Sequence, residues 1–387
     1  MLETKTANPS QILRHLCYLL PISIILLLMT LWFSLNFHPL RGRWATSDHD
    51  CGAYVRIASD LRKFQLRPAG NGAYEPVWQT FHPGFPLSIA LLPLPVTPTS
   101  GAIASFLAAV ASVVLLYLYL ARHSYWGALA AAALWAFLLA KSKLPLYPWS
   151  EPLFFALLVG LFLAASPKAK GLLLGLLVLV RPEAYLLLPG TLAFTRGRRN
   201  LILLLIVFML TISPYLLLLH NLTGRWSLTT PGKVKGWQVA PYITSGVGWA
   251  QLRAWREAGR KAPEPGSLEL AREVGIAKSS LTWQMTNPLS RFKSNLLILW
   301  RAVGASFKLP LLLGLIGFVV LLASRRRMLL QPVLTAIPAA IPCLFYTPDF
   351  RLFMLWLFVA VIAFGSGFAA LHHQPMITAC EYDLTGV

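Results

Sequence analysis

Four of the chain's 14 acidic residues fall in one stretch, residues 47–86, which reads SDHDCGAYVRIASDLRKFQLRPAGNGAYEPVWQTFHPGFP. They are Asp48, Asp50, Asp60 and Glu75. A carboxylate held at a helix start beside a membrane surface can take the proton of a hydroxyl. Arginine or lysine nearby can receive the phosphate that departs when a group moves from a lipid phosphate to that hydroxyl. Asp50, with Asp48 in reserve, is the candidate base.

Outside the two long polar loops and the termini only three acids remain: Glu151, Glu183 and Asp349. Each adjoins a proline and an apolar run. Ionisable groups at membrane depth are costly and are commonly paired or functional. Glu151, in LYPWSEPLFF, reads either as an acid on a helix dipole or as a residue that positions a substrate hydroxyl. Glu183 pairs with Arg181 in LVRPEAYLLLP, or the two line a polar cavity that meets a lipid phosphate. Arg351, in YTPDFRLF, is a phosphate contact through its planar fork or an interfacial anchor. His82, in TFHPGFP, precedes a helix and is either structural or a ligand contact. No Walker loop, HExxH, GxSxG or dinucleotide motif is present.

These residues need elements to hold them. The chain has 387 residues, of which 56% are hydrophobic. Several runs approach the roughly 20 residues that cross about 30 Å of hydrocarbon as helix. An all-α polytopic membrane protein follows, because lipid leaves backbone polar groups no outside partner. Apolar segments lie near 16–37, 85–96, 101–121, 126–140, 153–165, 172–194, 201–220, 296–322, 328–346 and 350–371. The count is about ten transmembrane helices, between about nine and eleven.

A first extracytoplasmic loop spans 37–83, and a second, of 75 residues, spans 221–295. The basic clusters at 196–200 and 324–328 mark the cytoplasmic side. That parity requires 85–96 to cross, or a broken helix elsewhere, for which Pro145, Pro148, Pro152, Pro182 and Pro189 are candidates. Within the first loop, Tyr54, Ile57, Ala58 and Leu61 share one helical face while Arg56, Arg62 and Lys63 fall elsewhere. The spacing predicts an interfacial amphipathic helix over 50–64. Residues 1–372 form one transmembrane domain and 373–387 a loose tail.

The net charge of +20 reads as positive-inside flanks and contact with anionic head groups, not nucleic acid. Cys17, Cys51, Cys343 and Cys380 are scattered, with no CxxC or zinc spacing and no expected structural disulfide. The first apolar run reads as a retained helix, not a cleaved signal. Gly171 and Gly175 allow close helix packing.

The chain resembles the GT-C superfamily of integral-membrane glycosyltransferases, in its protein-mannosyltransferase and aminoarabinose-transferase-like branch. The first-loop pattern D-x-x-x-Y-x-x-I-A-x-x-L is matched by Asp50, Tyr54, Ile57, Ala58 and Leu61. The Pro-rich entry appears as HPGFPL from His82, the S-E-P-L-F start at Ser150, and the R-P-E segment at Arg181 to Glu183. NPLSRF follows the large loop from Asn287, and Arg351 stands in the late DFRLF segment. The six matches run in order over residues 10–370.

The resemblance implies an inverting enzyme with a polyprenyl-phosphate-linked sugar donor and a lipid, glycan or protein acceptor, and it gives Asp50 the part of general base. Tyr54, Arg56, His82, Glu151, Arg181, Glu183 and Arg351 become the candidate substrate-binding residues. The second acid that often precedes the Pro-rich entry is replaced by Phe81 and His82, and no large soluble C-terminal domain is present. No cofactor is assigned; a divalent metal and the acceptor class stay open. The implied place is a bacterial inner membrane with the site facing outward. The rival readings are a lipid or sugar transporter or flippase, which calls for acids deep in several helices, and a non-catalytic subunit of envelope glycan assembly.

Overall fold

The structure is a computed structural model that describes residues 9–38, 50–64, 82–223, 226, 305–324, 327–341 and 350–371. Asp48, Asp349 and nearly all of the second polar loop lie outside the described residues. Among the described residues every regular element is helical. The helices are α1 (Pro9–Asn36), α2 (Asp50–Arg62), α3 (Gly84–Leu91), α4 (Pro98–Ala121), α5 (Tyr125–Ser142), α6 (Glu151–Leu163), α7 (Pro167–Val180), α8 (Leu188–Ala193), α9 (Arg198–Thr223), α10 (Ala305–Ser324), α11 (Arg327–Ala340) and α12 (Phe350–Leu371). Short 3-10 turns, Leu144–Leu146 and Pro182–Leu187, precede α6 and α8.

Among the described residues six helices are long and apolar enough to cross a membrane: α1, α4, α5, α9, α10 and α12; α6 and α11 are shorter apolar helices. The chain is an integral membrane protein. The expected count of about ten is not reached by length and composition among these residues. The 85–96 segment does not cross as a helix: α3 holds 8 residues, about 12 Å at 1.5 Å per residue. Pro93 and Pro95 follow it and supply no backbone N–H to extend it. The 172–194 run breaks instead: α7 ends at Val180, Pro182 opens a 3-10 turn, and α8 begins at Leu188.

Close backbone approaches set the helix directions. In lipid, packing contacts rather than the hydrophobic effect hold helices together, so small residues matter. Gly171 faces the Leu204 carbonyl, and a Cβ on Gly175 would sit 2.6 Å from Thr211 Cβ, so the close packing expected of the paired glycines is made against α9, to which α7 runs parallel. The bundle centre is aromatic. Trp135 meets Phe155 and Phe358 at ring distances of 4.9 and 4.6 Å, and its indole N–H donates to Ser112 Oγ at 2.9 Å. A buried indole finds its partner here within the core.

Candidate active site

The predicted amphipathic helix is α2, and its buried face holds Cys51, Ala53, Tyr54, Ile57 and Ala58. It docks on the start of α3, where the Tyr54 ring meets Phe85 edge-on at 5.1 Å. Its other end is fastened by Arg62. The guanidinium donates to Ala90 O at 2.8 Å, to Leu92 O at 2.5 Å and to Leu94 O. These are carbonyls at and just beyond the end of α3, where alternating prolines leave few backbone donors. Five donors in a rigid fork suit that run of acceptors. The sequence reading set Arg62 on the polar face and missed this role; the prolines at 93 and 95 were the available signal.

Tyr54 points from α2 to the start of α6, and its hydroxyl donates to Ser150 Oγ at 3.3 Å. Ser105 secures the segment before α6, accepting from the Trp149 N–H at 3.0 Å and donating to the Trp149 carbonyl at 2.8 Å. Glu151 is the first residue of α6, where the helix dipole favours a carboxylate. It is 5% exposed. Its Oε1 accepts from Arg181 Nη1 at 2.6 Å. Arg181 follows the last residue of α7, and its Nη2 reaches Glu183 Oε1 at 3.2 Å in the 3-10 turn.

One guanidinium thus holds two carboxylates, and the cluster carries more negative than positive charge. A buried charge is tolerated when paired and hydrogen-bonded. Glu151 Oε2 has no hydrogen-bond partner among the described residues, which leaves an acceptor for a group that enters the site. Gly84 brings α3 against the Leu179 carbonyl, so the starts of α3 and α6 and the end of α7 meet at one end of the bundle.

Of the sequence-predicted residues, the structure brings together Tyr54, Glu151, Arg181 and Glu183. His82 is buried beside them: its ring lies 5.5 Å from Tyr215 of α9, and it interacts electrostatically with Glu183. Tyr215 and Ser150 were not anticipated as parts of the site. Arg56 is half-buried on α2 and acts on Asp60 of the same helix. Asp50 opens α2 one turn before Tyr54, and Arg351 lies in the first turn of α12; their side chains lie outside the described set. Among the described residues no group of three or more His, Cys, Asp or Glu side chains gathers as metal ligands.

The fold is similar to that of the archaeal oligosaccharyltransferase AglB from Archaeoglobus fulgidus, solved with an inhibitory peptide and a dolichol-phosphate. The TM-score is 0.51 at 16% identity, covering 91% of this chain and 50% of that one. A structure of the Archaeoglobus fulgidus oligosaccharyltransferase with Zn and sulfate aligns with a TM-score of 0.50 at 17% identity, covering 90% of this chain and 48% of that one. The chain spans about half the length of the structures it matches. No family model and no curated protein matches the sequence. At this identity the likeness is one of fold alone.

Proposed function

We propose that the chain is a GT-C glycosyltransferase that moves a sugar from a polyprenyl-phosphate-linked donor to a hydroxyl acceptor, with Asp50 as general base. The observation that carries this reading is the bond from Tyr54 to Ser150. It docks the helix that begins at Asp50 onto the part-buried Glu151–Arg181–Glu183 cluster. The AglB structure holds a dolichol-phosphate and a peptide, which supports a lipid-linked donor and a lipid or protein acceptor here.

In the proposed reaction the acceptor O–H gives its proton to the Asp50 carboxylate. The acceptor oxygen forms a bond to the anomeric carbon from the face opposite the phosphate. The bond from that carbon to the phosphate oxygen breaks, and its electron pair leaves on the polyprenyl phosphate. Arg181 is spanned by two carboxylates, so the departing anion falls to Arg351 and Arg56. Glu151 Oε2 accepts from a sugar or acceptor hydroxyl, and Glu183 keeps Arg181 in place. Asp48 stands in reserve as base, and His82 closes the cluster on the α9 side.

The proposed topology has ten crossings: α1, α4, α5, α6, α7, the 3-10 turn with α8, α9, α10, α11 and α12. The broken 172–194 run then supplies the reversal that 85–96 does not. The basic residues that precede α9 lie at the end opposite α2, and the positive-inside rule then supports a reading with the α2 end outside.

The test compares lipid extracts of cells with and without the chain. Loss of the chain is expected to accumulate a polyprenyl-phosphate sugar and to deplete one glycan. Identical extracts would remove the reading.

A further inference from the structure

A second polar cavity, of ≈290 Å³, lies at the end of the bundle opposite α2. Its polar lining is Tyr119, Arg122, His123, Lys170, Thr191, Gln331 and Thr335, and no carboxylate is among the residues that line it. Among the described residues neither Arg122 nor Lys170 has an ion-pair partner. Thr335 is 2% exposed, and its hydroxyl has no hydrogen-bond partner among the described residues. That hydroxyl abuts Gly190 and does not face the cavity, so the donors there for an anion are the two cations without a counter-charge.

The cavity is walled by the far ends of the elements that build the candidate active site. Leu161 to Leu163 close α6, which opens with Glu151. Lys170 lies in the first turns of α7, which ends before Arg181. Thr191 lies in α8, just after the turn that holds Glu183.

We propose that this cavity binds a phosphate group, either the head of an anionic phospholipid or a soluble phosphate monoester. Arg122 and Lys170 donate to the phosphate oxygens. The volume exceeds what a bare phosphate fills and leaves room for a glycerol or sugar moiety. The site needs no part of the glycosyl-transfer reading and stands or falls separately from it.

The test measures binding to the full chain in detergent, with dihexanoyl phosphatidate and glycerol 3-phosphate as probes and dihexanoyl phosphatidylcholine as control. Saturable binding of at least one phosphomonoester probe is expected, weakened about tenfold or more in R122Q, an exposed position whose change leaves the fold intact. K170Q is expected to weaken it as well. Binding of phosphatidate alone identifies a lipid occupant, and equal binding of both probes identifies a soluble one. No saturable binding of either, or binding unchanged in both variants, overturns the proposal.

Discussion

Arg181 Nη1 lies 2.6 Å from Glu151 Oε1, joining the end of α7 to the start of α6 across 30 positions of sequence. The same side chain holds Glu183, so removal of one group leaves the buried Glu151 and the half-buried Glu183 carboxylates without their shared cation. Breaking a buried pair by removing one partner costs about 3–5 kcal/mol. R181M is therefore expected to lower stability by about that amount. The midpoint of thermal unfolding in detergent measures it. The further change of both glutamates to glutamine in the R181M background should restore much of the loss.

The Tyr54 hydroxyl bond to Ser150 is long, and its loss should cost little stability, about 1 kcal/mol or less. Its larger effect falls on the reaction, because it registers the start of α2 against Glu151. Y54F is expected to lower kcat several-fold with a small change in unfolding midpoint. An equal effect of S150A would place the cause in the bond itself.

Arg62 fastens α2 to the carbonyls at 90, 92 and 94. R62A leaves those acceptors to water and frees the end of α3. Hydrogen exchange should rise over residues 84–96 and not in α4, α5 or α12. Unchanged exchange would show that the prolines alone hold the segment.

Burial raises the Asp60 carboxyl above its ordinary range, against the lowering pull of Arg56 and Lys63. The folded-state value thus exceeds the unfolded one. Protonation favours the fold, and that contribution is lost as pH rises through the carboxylate range. D60N should therefore be the more stable form at pH 7, with the difference fading in acid. A wild-type chain that gains on D60N as pH rises would reverse the assignment.

Local periodicity made part of this architecture legible. The period of Tyr54, Ile57, Ala58 and Leu61 marked α2, and Gly171 with Gly175 marked a packed face, because each rests on neighbours within one or two helical turns. The Arg181–Glu183 pair was visible for the same reason. Glu151 was visible as an unusual acid but not as the partner of Arg181, since nothing local joins residues 30 apart. The 85–96 run looked like a span because hydropathy counts residues and not donors. Its prolines stop the helix at Leu91. The break at Pro182 was one of several prolines in apolar runs, and only packing of the turn against α11 selects it. The second polar loop and the Asp48 and Asp349 positions lie outside the described residues.

The most direct measurement is single-turnover transfer by the purified chain carrying D50N, with a polyprenyl-phosphate sugar as donor. The account predicts loss of transfer by about a hundredfold or more, the contribution of a positioned base, with donor binding and the unfolding midpoint retained. Turnover within about twofold of the unsubstituted chain, with Asp48 also changed to asparagine, would contradict it.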